Sequence, residues 1–171
     1  MINIGYATVD DLITIERLAR EIWPVTYGEI LSPEQLAYML NLIYSNASLR
    51  NQLLELKHIF LMVESGGKPV GFASYSTIEP GVSKLHKIYV HQDTQGQGIG
   101  KKLIDYIIEQ LNPQAIHALR LNVNRYNKAR FFYEKLGFTI IKEEDIDIGN
   151  GYFMIDYVME KKISKSDNQQ M

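Results

Sequence analysis

The chain contains no cysteine, which excludes disulfides, thiolate metal sites and a cysteine nucleophile and is in keeping with a reducing compartment. Long apolar runs are missing as well. The opening Met-Ile-Asn-Ile-Gly-Tyr has neither the basic nor the extended apolar segment of a signal peptide, and no run approaches membrane-spanning length. A cytoplasmic protein without a membrane partner is expected. Charge of one sign is scarce: 18 Lys and Arg against 20 Asp and Glu leave a net charge of -2, so nothing favours nucleic acid as a partner. His58, His86, His91 and His117 show no ligand spacing, and no metal site is expected. Internal repeats and interdomain linkers are also lacking. A length of 171 residues suits one compact domain over 1–163, followed by a polar, patternless tail over 164–171 that is expected to be disordered.

What is present alternates between two periodicities. A short apolar strand over Ile2 to Tyr6 precedes Thr8, a candidate cap for a helix with Leu12, Ile15, Leu18, Ala19 and Ile22 at helical spacing, which Trp23-Pro24 is expected to close. Ser32-Pro33-Glu34 starts a second helix with Leu36, Met39, Leu40 and Ile43 on its buried stripe, and Ala47 to Leu56 reads as a third. β-Branched and aromatic residues over Ile59 to Val63 and Pro69 to Ile78, split by Ser65-Gly66-Gly67, predict a hairpin. Leu85 to Val90 is a further strand. It leads into Gln95-Gly96-Gln97-Gly98-Ile99-Gly100-Lys101 and then a helix carrying Leu103, Ile104, Ile107, Ile108 and Leu111. A strand over Leu119 to Val123, a helix over Asn127 to Leu136 ended by Gly137, and strands over Phe138 to Lys142 and Tyr152 to Met159 complete an α+β order with a central mixed sheet.

The glycine loop is the strongest chemical feature. Alternating glycines let backbone N–H groups converge on an anion, the following helix adds its dipole, and Lys101 and Lys102 add charge, which together suit a phosphate or pyrophosphate. An ordinary tight turn is the competing reading. Glycines at 96, 98 and 100 fit neither GxGxxG nor a P-loop, which counts against dinucleotide and nucleoside triphosphate folds.

Gln95-x-x-Gly98-x-Gly100 resembles the Gln/Arg-x-x-Gly-x-Gly/Ala signature of the GNAT family of N-acetyltransferases, and Asn127-Lys128-Ala129-Arg130-Phe131-Phe132-Tyr133 with Gly137-Phe138 resembles its second CoA-binding segment. The resemblance spans about Phe60 to Met159 and implies a three-layer fold with a mostly antiparallel sheet splayed at the CoA site. It implies acetyl-CoA as donor, held by Ile88, Tyr89 and Val90 along the pantetheine arm and by Gln95, Gly96, Gln97, Gly98, Ile99, Gly100 and Lys101 at the pyrophosphate, with Asn127 and Arg130 as further contacts. Arg125 and Lys128 are additional candidates for the ribose phosphate. The family asparagine usually stands seven residues before the tyrosine, where this chain has Tyr126, so Asn127 is equally readable as a helix cap.

Amide formation requires the acceptor ammonium to lose a proton and the leaving thiolate to gain one. The resemblance assigns the acid to Tyr133 and places His86 where similar polyamine acetyltransferases carry a glutamate proposed as the base. A core tyrosine and a strand histidine with a local hydrogen bond are the alternatives, and Glu79 is a second candidate base. Trp23, Thr26, Tyr27 and the Ser32-Pro33-Glu34 start resemble the helical region that walls the acceptor cleft of bacterial polyamine acetyltransferases. A cationic acceptor asks for carboxylates and aromatic faces, for which Trp23, Tyr27, Glu79 and Tyr152 are expected, with Glu29, Glu34 and Asp156 as further acids. The expected activity is acetyl transfer to a small-molecule amine, a polyamine first, by a chain whose relatives often form homodimers. An acyl-CoA-binding sensor without turnover and a protein or peptide N-terminal acetyltransferase are the alternatives.

Overall fold

The structure is a computed structural model that describes residues 1–163; the tail expected over 164–171 lies outside the described residues. Seven strands form one sheet in the order β1-β2-β3-β4-β5-β7-β6: β1 (Ile2–Tyr6), β2 (Ile59–Ser65), β3 (Lys68–Glu79), β4 (Val82–Val90), β5 (Ala118–Asn124), β6 (Thr139–Gly149) and β7 (Tyr152–Lys162). Pairing is antiparallel at β1/β2, β2/β3, β5/β7 and β6/β7 and parallel at β4/β5, where a helix makes the crossover. This is the mixed, mostly antiparallel α+β sheet expected. The described residues fall into two compact units, one of Met1–Ser76 with Lys87–Leu103 and one of Thr77–His86 with Ile104 onward.

In the first unit, Asp11 Oδ2 accepts the Thr8 N–H at 2.8 Å and closes a 3-10 turn over Val9–Asp11 ahead of α1 (Leu12–Tyr27). The apolar stripe is buried as its spacing predicts, but Trp23-Pro24 does not end the helix. Pro24 only removes its own N–H; its carbonyl still accepts from Gly28 at 3.0 Å, and burial of Trp23 and Tyr27 holds the last turn in place. α2 (Pro33–Tyr44) starts on Ser32, whose Oγ accepts from Gln35 N–H at 3.1 Å. The third helix is present where expected, with a change of type inside it. It divides into α3 (Asn46–Arg50) and a π-helical turn over Asn51–Glu55. Gln52 explains the change of phase: its Nε2 donates to Ile43 O at 2.9 Å and Ser48 Oγ at 3.0 Å, while its Oε1 receives the buried Lys87 ammonium.

The β2/β3 turn has positive φ at both Gly66 and Gly67, as a two-residue hairpin requires. Gly71 serves a different need. A Cβ there would lie 2.7 Å from Tyr89 O and 2.9 Å from Val63 Cγ1, so glycine is what lets β3 lie this close to β4.

The crossover helix α4 (Ile99–Leu111) belongs to the first unit through Leu103 and to the second from Ile104. Ile104, Ile107 and Leu111 are buried in the second unit, where β5 carries Leu119, Leu121 and Val123 inward and leaves Arg120, Asn122 and Asn124 on the other face. α5 (Ala129–Lys135) begins two residues later than expected because Asn127 turns the chain, its Oδ1 accepting from Ala129 N–H at 2.9 Å. Gly137, at φ +97°, ends it. β6 and β7 run beyond the expected strands to a two-residue turn at Asn150-Gly151, both at positive φ.

Replacing Gly71 by Ala is expected to lower unfolding free energy by about 1–3 kcal/mol through overpacking against a carbonyl. Gly5, where a Cβ would meet no atom within 4 Å, should accept Ala with a change within about 0.5 kcal/mol. Urea denaturation of both variants checks the contrast.

Candidate active site

The first unit brings the strand end, the glycine loop and the helix start together. After Val90, a 3-10 turn over Gln92–Thr94 leads through Gln95 to Gly98 and into α4. Gly96 and Gly98 have φ of +88° and +73°, with no atom within 4 Å of a Cβ at either. Conformation, not crowding, requires glycine there, and the space above the backbone is open. The helical ladder opens with Lys102 N–H to Gly98 O at 3.1 Å. Amides of the first turn precede it and have no intrahelical acceptor, so they suit an anion.

Side chains of this segment mostly hold the loop. Ile99 is buried and anchors the helix start, while Gln95 Nε2 turns back to Val90 O at 3.2 Å. Gly96, Gln97, Lys101 and Lys102 are exposed, and Gly100, Ile88, Tyr89 and Val90 are half-buried. The Tyr89 ring packs against Trp23 and Phe72, and its hydroxyl lies 2.8 Å from that of Tyr27. Trp23 and Tyr27, expected on the acceptor side, are 4% and 9% exposed and give most of their surface to this aromatic cluster. Tyr44 completes it, with Trp23 edge-on at 5.4 Å; burial holds its hydroxyl protonated, well above the ordinary tyrosine value.

The second unit carries the expected proton-transfer groups. Parallel pairing of β4 with β5 covers Val82–Leu85 against Ala118–Leu121, and half-buried His86 is the next residue. Tyr133 is 8% exposed on α5, its ring edge-on to Phe132 and Phe138. Half-buried Tyr152 opens β7. Several other expected residues are occupied by neighbours. Glu79 pairs with Arg120 at 3.0 Å, and Arg120 also binds Glu160 at 2.7 Å. Arg130 lies 3.4 Å from Glu134 and stacks over Phe131 and Tyr157. Arg125 is bound by Asp145, Glu143 and the carbonyl of Asp156, which makes it a strut between strands. Asn127 spends its side-chain oxygen on Ala129.

Asp156 differs from the other acids, with which sequence reading grouped it. It is only 4% exposed, and burial is the first cause that pushes its carboxyl above the ordinary range, with Glu144 adding to the shift and Asn122, Lys84 and Arg125 opposing it. The Asn122 amide donates to both Asp156 and Glu144 at 3.2 Å. Lys142 and Asn122 hold Glu144 below the ordinary range. The two carboxylates are thus driven apart. The signal in the sequence was a lone acid inside Tyr152-Phe-Met-Ile-Asp-Tyr-Val-Met, an otherwise apolar strand.

Among the described residues no group of three His, Asp or Glu side chains is placed to hold a metal, and no helix is long and apolar enough to cross a membrane.

Residues 29–161 match the model of the acetyltransferase (GNAT) domain. The chain is 31% identical over 166 residues to a spermidine N(1)-acetyltransferase of Thermoplasma acidophilum, covering 94% of this chain and 97% of that protein. It is 32% identical over 120 residues to a ribosomal protein bS18 alanine N-acetyltransferase of Haemophilus influenzae, covering 70% and 76%. A crystal structure of the PaiA N-acetyltransferase from Thermoplasma acidophilum in complex with coenzyme A superimposes with a TM-score of 0.80 at 29% identity, over 95% of this chain and 99% of that one. With the loop, the fold and near full-length similarity in agreement, the chain belongs to the GNAT family of acetyltransferases.

Proposed function

We propose that residues 1–163 act as one cytoplasmic acetyltransferase domain that moves the acetyl group of acetyl-CoA to a primary amine of a small molecule, with polyamines as the favoured acceptor class. The glycine loop carries the reading. Its open backbone at Gly96 and Gly98 and the first-turn amides of α4 fit a diphosphate, and the strand residues Ile88, Tyr89 and Val90 offer backbone groups to an extended pantetheine arm. Similarity to a spermidine acetyltransferase over nearly the whole length supports a polyamine acceptor.

CoA supplies an activated thioester. The residues of this chain supply the proton transfers: His86, directly or through water, takes the proton of the acceptor ammonium, and the Tyr133 hydroxyl gives one to the departing sulfur as the new C–N bond replaces C–S. Among the carboxylates, Asp156 is the one a bound cation would relieve, since burial disfavours its charged form and a nearby ammonium would restore it. Glu79, already paired to Arg120, is a weaker candidate for base or acceptor contact. A peptide N-terminus is the second acceptor reading, favoured by the similarity to a ribosomal protein alanine acetyltransferase.

Thiol release from acetyl-CoA across spermidine, spermine, amino acids and short peptides tests the acceptor class. Turnover with polyamines is expected, and turnover with peptides alone would favour the second reading. Saturable binding without turnover would identify a sensor. Tyr133→Phe should lower kcat by about tenfold to a hundredfold with CoA affinity retained.

Asp156→Asn has opposite expected effects on activity and stability. A carboxyl whose folded-state pKa is raised stabilises the fold only while protonated, and that contribution is lost as pH rises through the folded value. The variant should therefore melt higher than the native chain at neutral pH, with the difference shrinking toward acid. The polyamine KM should rise by about tenfold if the carboxylate holds an ammonium. Thermal scans across pH and steady-state kinetics on the same protein check both.

A further inference from the structure

We propose that His91, held by Glu21 of α1, is a positioning residue that sets the first turn of the phosphate loop and thereby the affinity for CoA. The inference rests on the reading that the loop holds the CoA diphosphate. His91 is the first residue after β4, and the chain organises around it. Its N–H makes the last bond to β3, to Val70 O at 2.7 Å, and its carbonyl accepts from Thr94 N–H at 3.0 Å and Thr94 Oγ1 at 2.9 Å. Its ring then works in both directions. Nδ1 accepts the Asp93 N–H at 3.2 Å, capping the turn over Gln92–Thr94.

A ring nitrogen that accepts from an N–H carries no proton, so the neutral imidazole has its proton on Nε2. Nε2 faces Glu21 Oε2 at 3.2 Å. The other oxygen of Glu21 is bonded to Arg17 at 3.1 Å, one helical turn away, in an exposed pair that biases the carboxylate toward His91. Asp93 Oδ2 lies 3.5 Å from Nδ1 but is largely exposed, so solvent weakens that contact. The imidazole itself is 18% exposed, and the hydrogen bond at Nδ1 with the Glu21 contact at Nε2 favours one tautomer and one ring orientation.

The consequence is a link from α1 to the loop that no local motif encodes. Where the turn at Gln92–Thr94 is placed decides where Gln95, Gly96 and Gly98 begin, and those residues aim the amides. Loss of Glu21 frees the ring to rotate and loosens the cap. Loss of His91 removes both the cap and the Glu21 contact. Asparagine at 91 keeps an acceptor for the N–H two residues on, in the manner of an Asx turn, and gives up only the reach to Glu21.

The test combines calorimetric titration of CoA with 15N NMR of the histidine ring in the native chain, Glu21→Ala, His91→Ala and His91→Asn. Glu21→Ala and His91→Ala should each raise the CoA Kd by roughly three- to tenfold, leaving the acceptor KM within error, while His91→Asn recovers most of the loss. The native ring should show its proton on Nε2, and Glu21→Ala should show a tautomer mixture. Native CoA binding with no change in either alanine variant, or a proton on Nδ1 in the native ring, overturns the proposal alone. Absence of CoA binding by the native chain overturns the loop reading and the proposal with it.

Discussion

Backbone hydrogen bonding is the constraint on which the rest of this structure depends. Buried N–H and C=O groups need partners, and most strands here find them in a neighbouring strand. β4 lies between β3 and β5. It pairs with β5 over only Val82–Leu85 and then runs on through His86 to Val90. The loop that follows carries amides whose directions are set by glycines at positive φ and by the start of a helix. Under the proposed function, the loop amides take the diphosphate of CoA and the end of β4 takes its pantetheine arm.

Side-chain chemistry differs between the two units. In the first unit the aromatic rings of Trp23, Tyr27, Tyr44, Phe72 and Tyr89 pack on one another, so their main contribution is a dry, rigid wall. Lys87 brings a cation into the same region over Tyr44 and Phe60 and ties β4 to the π-helical turn through Gln52. In the second unit the exposed strand face is laced by Arg120 and Arg125 with their acids. Those pairs neutralise one another, and Asp156 is left as the buried carboxyl whose charge is least favoured.

The elements written in local sequence were legible: Gly66-Gly67 as a hairpin turn, Ser32-Pro33 as a helix start, Gly137 as a helix stop, and the glycine loop between strand and helix. What escaped was settled by contacts distant along the chain. Pro24 reads as a terminator, yet buried aromatics on either side carry α1 through it. The shift to a π-helical turn depends on a glutamine that must reach Ile43, Ser48 and Lys87 at once. Glu79 reads as an available acid until Arg120, on a strand far along the chain, claims it. His91 carried no motif at all, because its partner Glu21 lies on α1, far earlier in the sequence. Asn150-Gly151, by contrast, was a local turn signal that explains the long β6/β7 hairpin.

The central claim is that backbone amides of the glycine loop hold the CoA diphosphate. Amide NMR of the labelled protein during a CoA titration tests it most directly. The account predicts that the largest shifts fall on Gly96, Gly98, Ile99, Gly100 and Lys101 and saturate with a single affinity. Saturation with those amides unmoved, or shifts centred elsewhere, would contradict it.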